Sequence, residues 1–176
     1  MIPRIKKEII KLFRMKQGIN KDVYERFFKD FVPLMEENNL FFYVSEGSAL
    51  GLYRDGDLIE WDDDLDIGMY QGDFNKMKEK VVPEMIKKGY YFDKISFSGC
   101  YFFMKDNHFV DIEVVNFNKK CISKKNGFCK DLKPYLKFEE KSWRGIKLNL
   151  PKKSYYVYLY GENWKTPIKN GKPKKN

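Results

Sequence analysis

Cysteine and histidine are scarce in this chain, with three of the former and one of the latter among 176 residues. Cys100, Cys121 and Cys129 form an odd set without CxxC spacing, and His108 is far in sequence from Cys121 and Cys129, which speaks against a zinc site. No Asn-x-Ser/Thr acceptor occurs, in agreement with a reduced, unglycosylated location. No apolar run approaches the roughly 20 residues that a membrane-spanning helix needs, so no transmembrane segment is expected. The opening MIPRIKKEIIKLFRMKQG carries charge through its apolar positions and lacks the uninterrupted hydrophobic region of a secretory signal. A cytoplasmic protein without a membrane anchor is expected.

Core-forming residues are abundant. The chain is 43% hydrophobic and 17% aromatic, too rich in such residues for a disordered protein even at 34% charged. One domain is expected over residues 1–168, followed by a flexible basic tail at 169–176. The net charge is +9, yet part of the acidic minority is gathered in one stretch. A basic surface around an acidic hole suits a polyanionic partner such as a nucleotide, nucleic acid, phosphorylated glycan or anionic membrane surface. Lysines that merely keep the protein soluble explain the spread charge equally well.

Ile2, Ile5, Ile9 and Leu12 or Phe13 recur at helical spacing, and a second helix follows from Asp22, with Pro33 a kink or boundary. LFFYV at 40–44 reads as a buried strand, and Gly47-Ser48 as the junction to a short helix running to about Tyr53. A helix through Phe74, Met77, Val81 and Met85 precedes a hairpin, YYFDKISF and CYFFMKD, and then the strand FVDIEVV. Residues 116–134 read as a lysine-rich loop, WRGIKLNL as a further strand, and KKSYYVYLYG as a helix stopped by Gly161.

The stretch EWDDDLDIGMY, residues 60–70, places four aspartates within five positions. Two carboxylates 4 Å apart repel by about 1 kcal/mol in water and about 4 kcal/mol at an effective dielectric of 20, so something cationic belongs between them. Asp62, Asp64 and Asp66 imitate the opening of a calcium loop, but Ile67 stands where the turn glycine is needed and Asp73 where the closing glutamate is needed. Turn and helix capping accounts for one or two of the acids. It does not account for the second alternating strand, on which Asp111 and Glu113 share a face as Asp64 and Asp66 do. A divalent-metal phosphotransfer site accounts for both, with Gly47 admitting phosphate to the backbone and Ser48 offering a hydroxyl at a helix start.

The order of a hydrophobic strand, Gly47-Ser48, a short helix, Asp64-Leu65-Asp66-Ile67 and a later acid on a strand is the pattern of the nucleotidyltransferase fold. More narrowly, EGSALGLYRDGDLIEWDDDLDIGM resembles the signature of the LicD and fukutin family, and LPKKSYYVYLYGENWKTP is similar to that family's closing block. The resemblance spans roughly residues 36 to 168. It implies an α/β (α+β) fold with a mixed central β-sheet flanked by helices. It further implies transfer of a phospho-alcohol, such as phosphocholine or ribitol phosphate, from a CDP-linked donor to a glycan acceptor, using Mg2+ or Mn2+. On this chain Asp64, Asp66 and Asp111 match the metal-binding and catalytic acids, and Asp62 and Asp63 complete the acidic block. Ser48 and Arg54 match positions near phosphate, and Glu113 joins them from strand parity as a ligand or base. Two positions depart from the pattern: Asp55 replaces a histidine after Arg54, and Glu60 replaces the proline before Trp61. The alternatives are a nucleotidyltransferase that adds NMP from an NTP, and a non-catalytic nucleic-acid-binding module; the paired acidic strands argue against the latter because they would repel the backbone.

Overall fold

In a computed structural model, the protein is described over residues 18–94, 100–117, 123–125 and 128–167. The N-terminal amphipathic stretch and the basic tail lie outside these residues, as do the hairpin turn at Ser98-Gly99 and Cys121.

Helix α1, Lys21–Glu37, begins where the Asn20 side chain accepts from the backbone N–H groups of Asp22 and Val23. It continues past Pro33, so the residue expected as a kink or boundary is not a boundary. The proline removes one backbone hydrogen bond, and the buried Phe31, Val32 and Met35 hold the last turns in place. Strand β1 is only Tyr43–Val44, shorter than LFFYV implied, although Leu40 and Phe42 are buried. Helix α2, Glu46–Arg54, leads into a return loop and strand β2, Leu65–Tyr70. The helix expected through Phe74, Met77, Val81 and Met85 to Lys88-Gly89 is two, α3 at Gln71–Lys80 and α4 at Val82–Lys87, because Pro83 restarts the helix at its first turn. Strands β3, Tyr91–Lys94, and β4, Tyr101–Lys105, form the expected hairpin, and β5 covers His108–Val115.

The sheet order is β1-β2-β5-β4-β3, with β2 and β5 parallel and the other pairs antiparallel. On one face Val44, Leu65, Ile67, Val110, Ile112 and Phe103 meet the aromatic stripe of α1, where Phe27 and Phe31 contact Phe103. Helix α3 covers the same face through Phe74 against Tyr101. The opposite face carries the acids.

Residues 116–134 are not a plain loop. They include a small hairpin, β6 (Ser123–Lys125) and β7 (Phe128–Lys130), and a 3-10 turn at Lys133–Tyr135. A second hairpin pairs β8, Phe138–Trp143, with β9, Ile146–Pro151, around Arg144 and Gly145, both at positive φ as a tight primed turn requires. Helix α5, Lys153–Tyr160, follows and stops at Gly161 as expected.

One carboxylate fastens three of these parts. Asp57, in the return loop, accepts from Lys21 Nζ at 2.6 Å, Trp143 Nε1 at 2.8 Å and the Leu58 N–H at 2.9 Å, tying the start of α1 to the loop and to β8. Burial alone would raise its pKa, but the hydrogen bonds from Lys21 and Trp143 outweigh burial and hold it below the ordinary value. A depressed folded pKa adds stability that is fully present above the unfolded value of about 3.9 and is lost as pH falls through the folded one. Asp57→Asn is therefore expected to be less stable than wild type at neutral pH. In urea melts taken to lower pH, the gap should close below about pH 4.

Candidate active site

The pleat sends alternate residues of each strand to one face, so the pairing of the strands lays the acid face out in rungs. Asp66 stands opposite Asp111, and Gly68 opposite Glu113. On the other side of β2, Tyr43 pairs with Gly68, and the Ser45 N–H donates to the Asp66 carbonyl at 3.0 Å, which carries the register one residue further. The face therefore reads Ser45, Asp66, Asp111 on one rung and Tyr43, Gly68, Glu113 on the next. Asp64 has the same parity as Asp66 and sits just before β2.

Carboxylate oxygens of Asp64, Asp66 and Asp111 all lie within 4.8 Å of one another, and those of Asp62, Asp63 and Asp64 form a second such group that shares Asp64. Asp64 is 9% exposed, and Asp66, Asp111 and Glu113 are 5% exposed. Among the described residues the buried polar and charged side chains are these four together with Ser45 and Ser48, and all of them belong to this one patch. Three carboxylates at about this spacing repel by roughly 3 kcal/mol per pair at an effective dielectric of 20. A divalent cation turns that repulsion into attraction, and oxygen-only donors fit Mg2+ or Mn2+ rather than a thiophilic metal.

Helix α2 is fitted tightly to the acids. A Cβ on Gly47 would lie 2.5 Å from Asp62 Oδ2, so the missing side chain is what lets that carboxylate approach the first turn. Ser48 Oγ accepts from the Asp66 N–H at 2.9 Å, tying helix to strand and leaving the hydroxyl hydrogen to donate elsewhere. Glu46, held at φ +49°, gives its N–H to Tyr155 Oη at 3.1 Å, which fastens the helix start to α5. Burial, and then the Glu46 and Glu113 carboxylates, push the Tyr155 hydroxyl well above its ordinary pKa, so it stays protonated.

Not every residue picked out from the sequence meets the cluster. Arg54 closes α2, about 10 Å along the helix axis from Gly47 at 1.5 Å per residue. Its side chain is 7% exposed and forks onto the neighbouring Asp55 with bonds of 2.8 and 2.5 Å. Asp63 is exposed and Asp62 half-buried, at the outer edge of the block. Tyr155 and Trp164 are core residues, whereas Trp61 is 42% exposed beside the acids. His108 contacts the ring of Tyr24 on α1, on the core side of the sheet. Tyr43 and Ser45 carry no motif that marks them in the sequence, although continuing the alternation of β1 past Val44 places both on the acid face.

The LicD/FKTN/FKRP nucleotidyltransferase-domain model matches residues 39–155, a span that takes in α2, the acidic rungs and the start of α5. The chain belongs to the LicD/FKTN/FKRP family. An uncharacterized protein of Rickettsia prowazekii (strain Madrid E) is 29% identical over 112 residues, covering 64% of this chain and 40% of its own length. Another, from Rickettsia typhi (strain ATCC VR-144 / Wilmington), is 30% identical over 81 residues, covering 46% of this chain and 26% of its own. The chain thus spans less than half the length of the curated relatives it matches. Among solved structures, the antibiotic-resistance factor ANT(2'')-Ia is similar in solution with a TM-score of 0.53 at 11% identity, over 79% of this chain and 70% of that one. Its crystal structure with adenylyl-2''-tobramycin gives 0.50 at 13%, over 76% and 74%. That likeness is one of fold: a nucleotidyltransferase-like mixed sheet flanked by helices, as the LicD/FKTN/FKRP match implies. Among the described residues no helix is long and apolar enough to cross a membrane.

Proposed function

We propose that the protein transfers a phospho-alcohol, such as phosphocholine or ribitol phosphate, from a CDP-linked donor to a glycan hydroxyl. In this reading Asp64, Asp66 and Asp111 hold Mg2+ or Mn2+. The observation that carries it is the convergence of those three carboxylates beside the first turn of α2, in a chain of the LicD/FKTN/FKRP family. When bound, the ion neutralises the donor diphosphate and the charge that develops on CMP as it leaves.

The chain's own groups do the rest. The N-terminal end of α2 favours an anion. Asp62 and Asp63 border the entrance. The acceptor oxygen bonds to the β-phosphorus as the bond from that phosphorus to CMP breaks. The hydroxyl proton passes to a carboxylate, which we assign to Glu113, one rung from Asp111.

A thermal-shift panel tests this directly, using CDP-choline, CDP-ribitol, CDP-glycerol, CMP, ATP and GTP, each with and without Mg2+, on wild type and Asp64→Ala. One CDP-alcohol is expected to raise the wild-type Tm only when metal is present and to leave Asp64→Ala unmoved, with CMP released once a glycan acceptor is added. A response to NTPs alone, with pyrophosphate as product, would instead establish nucleotidyl transfer. No nucleotide response, together with salt-steep nucleic-acid binding that is indifferent to Asp64→Ala, would establish a binding module.

A further inference from the structure

The two β1-side residues of the acidic rungs are both hydroxyl-bearing, and both are fully buried, Tyr43 and Ser45 each at 0% exposure. Neither hydroxyl has a hydrogen-bond partner among the described residues. Tyr156 is the other buried hydroxyl of that kind there, and it belongs to the aromatic core. Leaving a buried hydroxyl without a partner forfeits its hydration for nothing in return, so such groups are rare and call for a reason.

Ser45 stands at the N-cap of α2, where a serine hydroxyl ordinarily accepts from the N–H groups of the first turn, yet this one makes no capping bond. Its neighbour across the rung is Asp66. The ring of Tyr43 lies over Gly68: a Cβ on that glycine would overlap Cζ and lie 2.5 Å from Oη. Its hydroxyl therefore stands on the acid face, one rung beyond Asp66 and Asp111 and beside Glu113. Burial, and then the Glu113 carboxylate, push the Tyr43 pKa well above its ordinary value, so Oη keeps its hydrogen and is a donor. Two donors without internal partners, on adjacent rungs among carboxylates, suit the outer sphere of a cation, where hydrogen bonds orient the liganding oxygens.

We propose that Tyr43 and Ser45 are positioning residues of the acidic site, whose hydroxyls donate to the oxygens gathered round a divalent cation held by Asp64, Asp66 and Asp111. The inference rests on the metal site proposed above but not on the donor or acceptor of the reaction. It gives the missing side chain at Gly68 a purpose, as the berth for the Tyr43 ring. It also explains why the chain carries a tyrosine and a serine at these two positions rather than phenylalanine and alanine, which would bury no unmet hydroxyl.

The test uses Mn2+ alone as probe, following the free-ion electron paramagnetic resonance signal as protein is added, alongside the metal-free Tm. Wild type, Tyr43→Phe, Ser45→Ala and Asp66→Asn are compared. Both hydroxyl deletions are expected to keep or raise the metal-free Tm while the Mn2+ Kd rises by about tenfold or more, as loss of outer-sphere partners does elsewhere. Wild-type affinity in both variants, with an unchanged or higher Tm, would make the hydroxyls mere unsatisfied groups and overturn the inference. A lowered metal-free Tm in both would show that they serve the fold and overturn it also. If wild type takes up no Mn2+, the metal reading beneath it fails as well, which separates the two failures.

Discussion

Asp66→Asn is expected to fold, to melt slightly higher than wild type without metal, and to lose turnover on the order of 1,000-fold in the donor assay, because a bound cation supplies several kcal/mol and about 1.4 kcal/mol is tenfold. The opposite signs of the two effects come from one geometry. Asp66 shares a pocket with Asp64 and Asp111, carboxylate oxygens within 4.8 Å, and all three side chains are buried. Neutralising one charge of that set is expected to remove like-charge repulsion in the metal-free protein and, on the proposed reading, a ligand in the loaded one. The amide is nearly isosteric, and the backbone N–H of residue 66 can still donate to Ser48 Oγ, so the helix-to-strand tie survives. Differential scanning calorimetry with and without Mg2+, read beside single-turnover rates, checks both halves. Full turnover in Mg2+ would remove Asp66 from the chemistry.

Among the described glycines, Gly68→Ala is expected to be the most damaging change to alanine. Its Cβ would fall onto Cζ of the Tyr43 ring, and Tyr43 is itself fully buried between Phe41 and Phe138. No far end of a flexible chain yields here; an entire ring must move into packed neighbours. Overpacking of this kind costs about 3 kcal/mol, which for a domain of this size lowers Tm by roughly 6–12 °C. Pairing the change with Tyr43→Ala should restore part of the loss, since the clash is with that ring, whereas each change alone destabilises. Additive losses in a thermal double-mutant cycle would show that the alanine is disfavoured for some other reason.

Much of the site was legible in the sequence because its logic is alternation. Two strands with carboxylates at every second residue, Asp64 to Asp66 and Asp111 to Glu113, had to present them on a single face each, and the parallel register of β2 with β5 brings those faces together. Gly47-Ser48 was legible for a different reason, as a strand-to-helix junction with a small residue and a hydroxyl. What escaped the sequence depended on pairing with a neighbouring strand rather than on a pattern within the strand itself. β8 is FEEKSW, half charged and without clear alternation, and it becomes a strand because β9 pairs with it residue for residue. The lysine-rich segment hid β6 and β7 in the same way. Tyr43 and Ser45 flank the one residue of β1 that faces the core, and two residues are too few to display a period. Arg54 has a motif position near phosphate, whereas in the fold it ends the helix and its fork rests on Asp55.

The pairing that sets Asp66 beside Asp111 joins residues about 45 positions apart, with the β3–β4 hairpin and two helices lying between them. Neighbouring hairpins close quickly because their loops are short, whereas a parallel pair must wait for a long loop to close and is slow for that reason. The acidic centre is therefore absent from any early collapsed state and comes into being with the last long-range register of the sheet. Assembly of the mutually repelling charges coincides with completion of the fold, so a chain that has trapped strands in the wrong order lacks the acidic centre altogether.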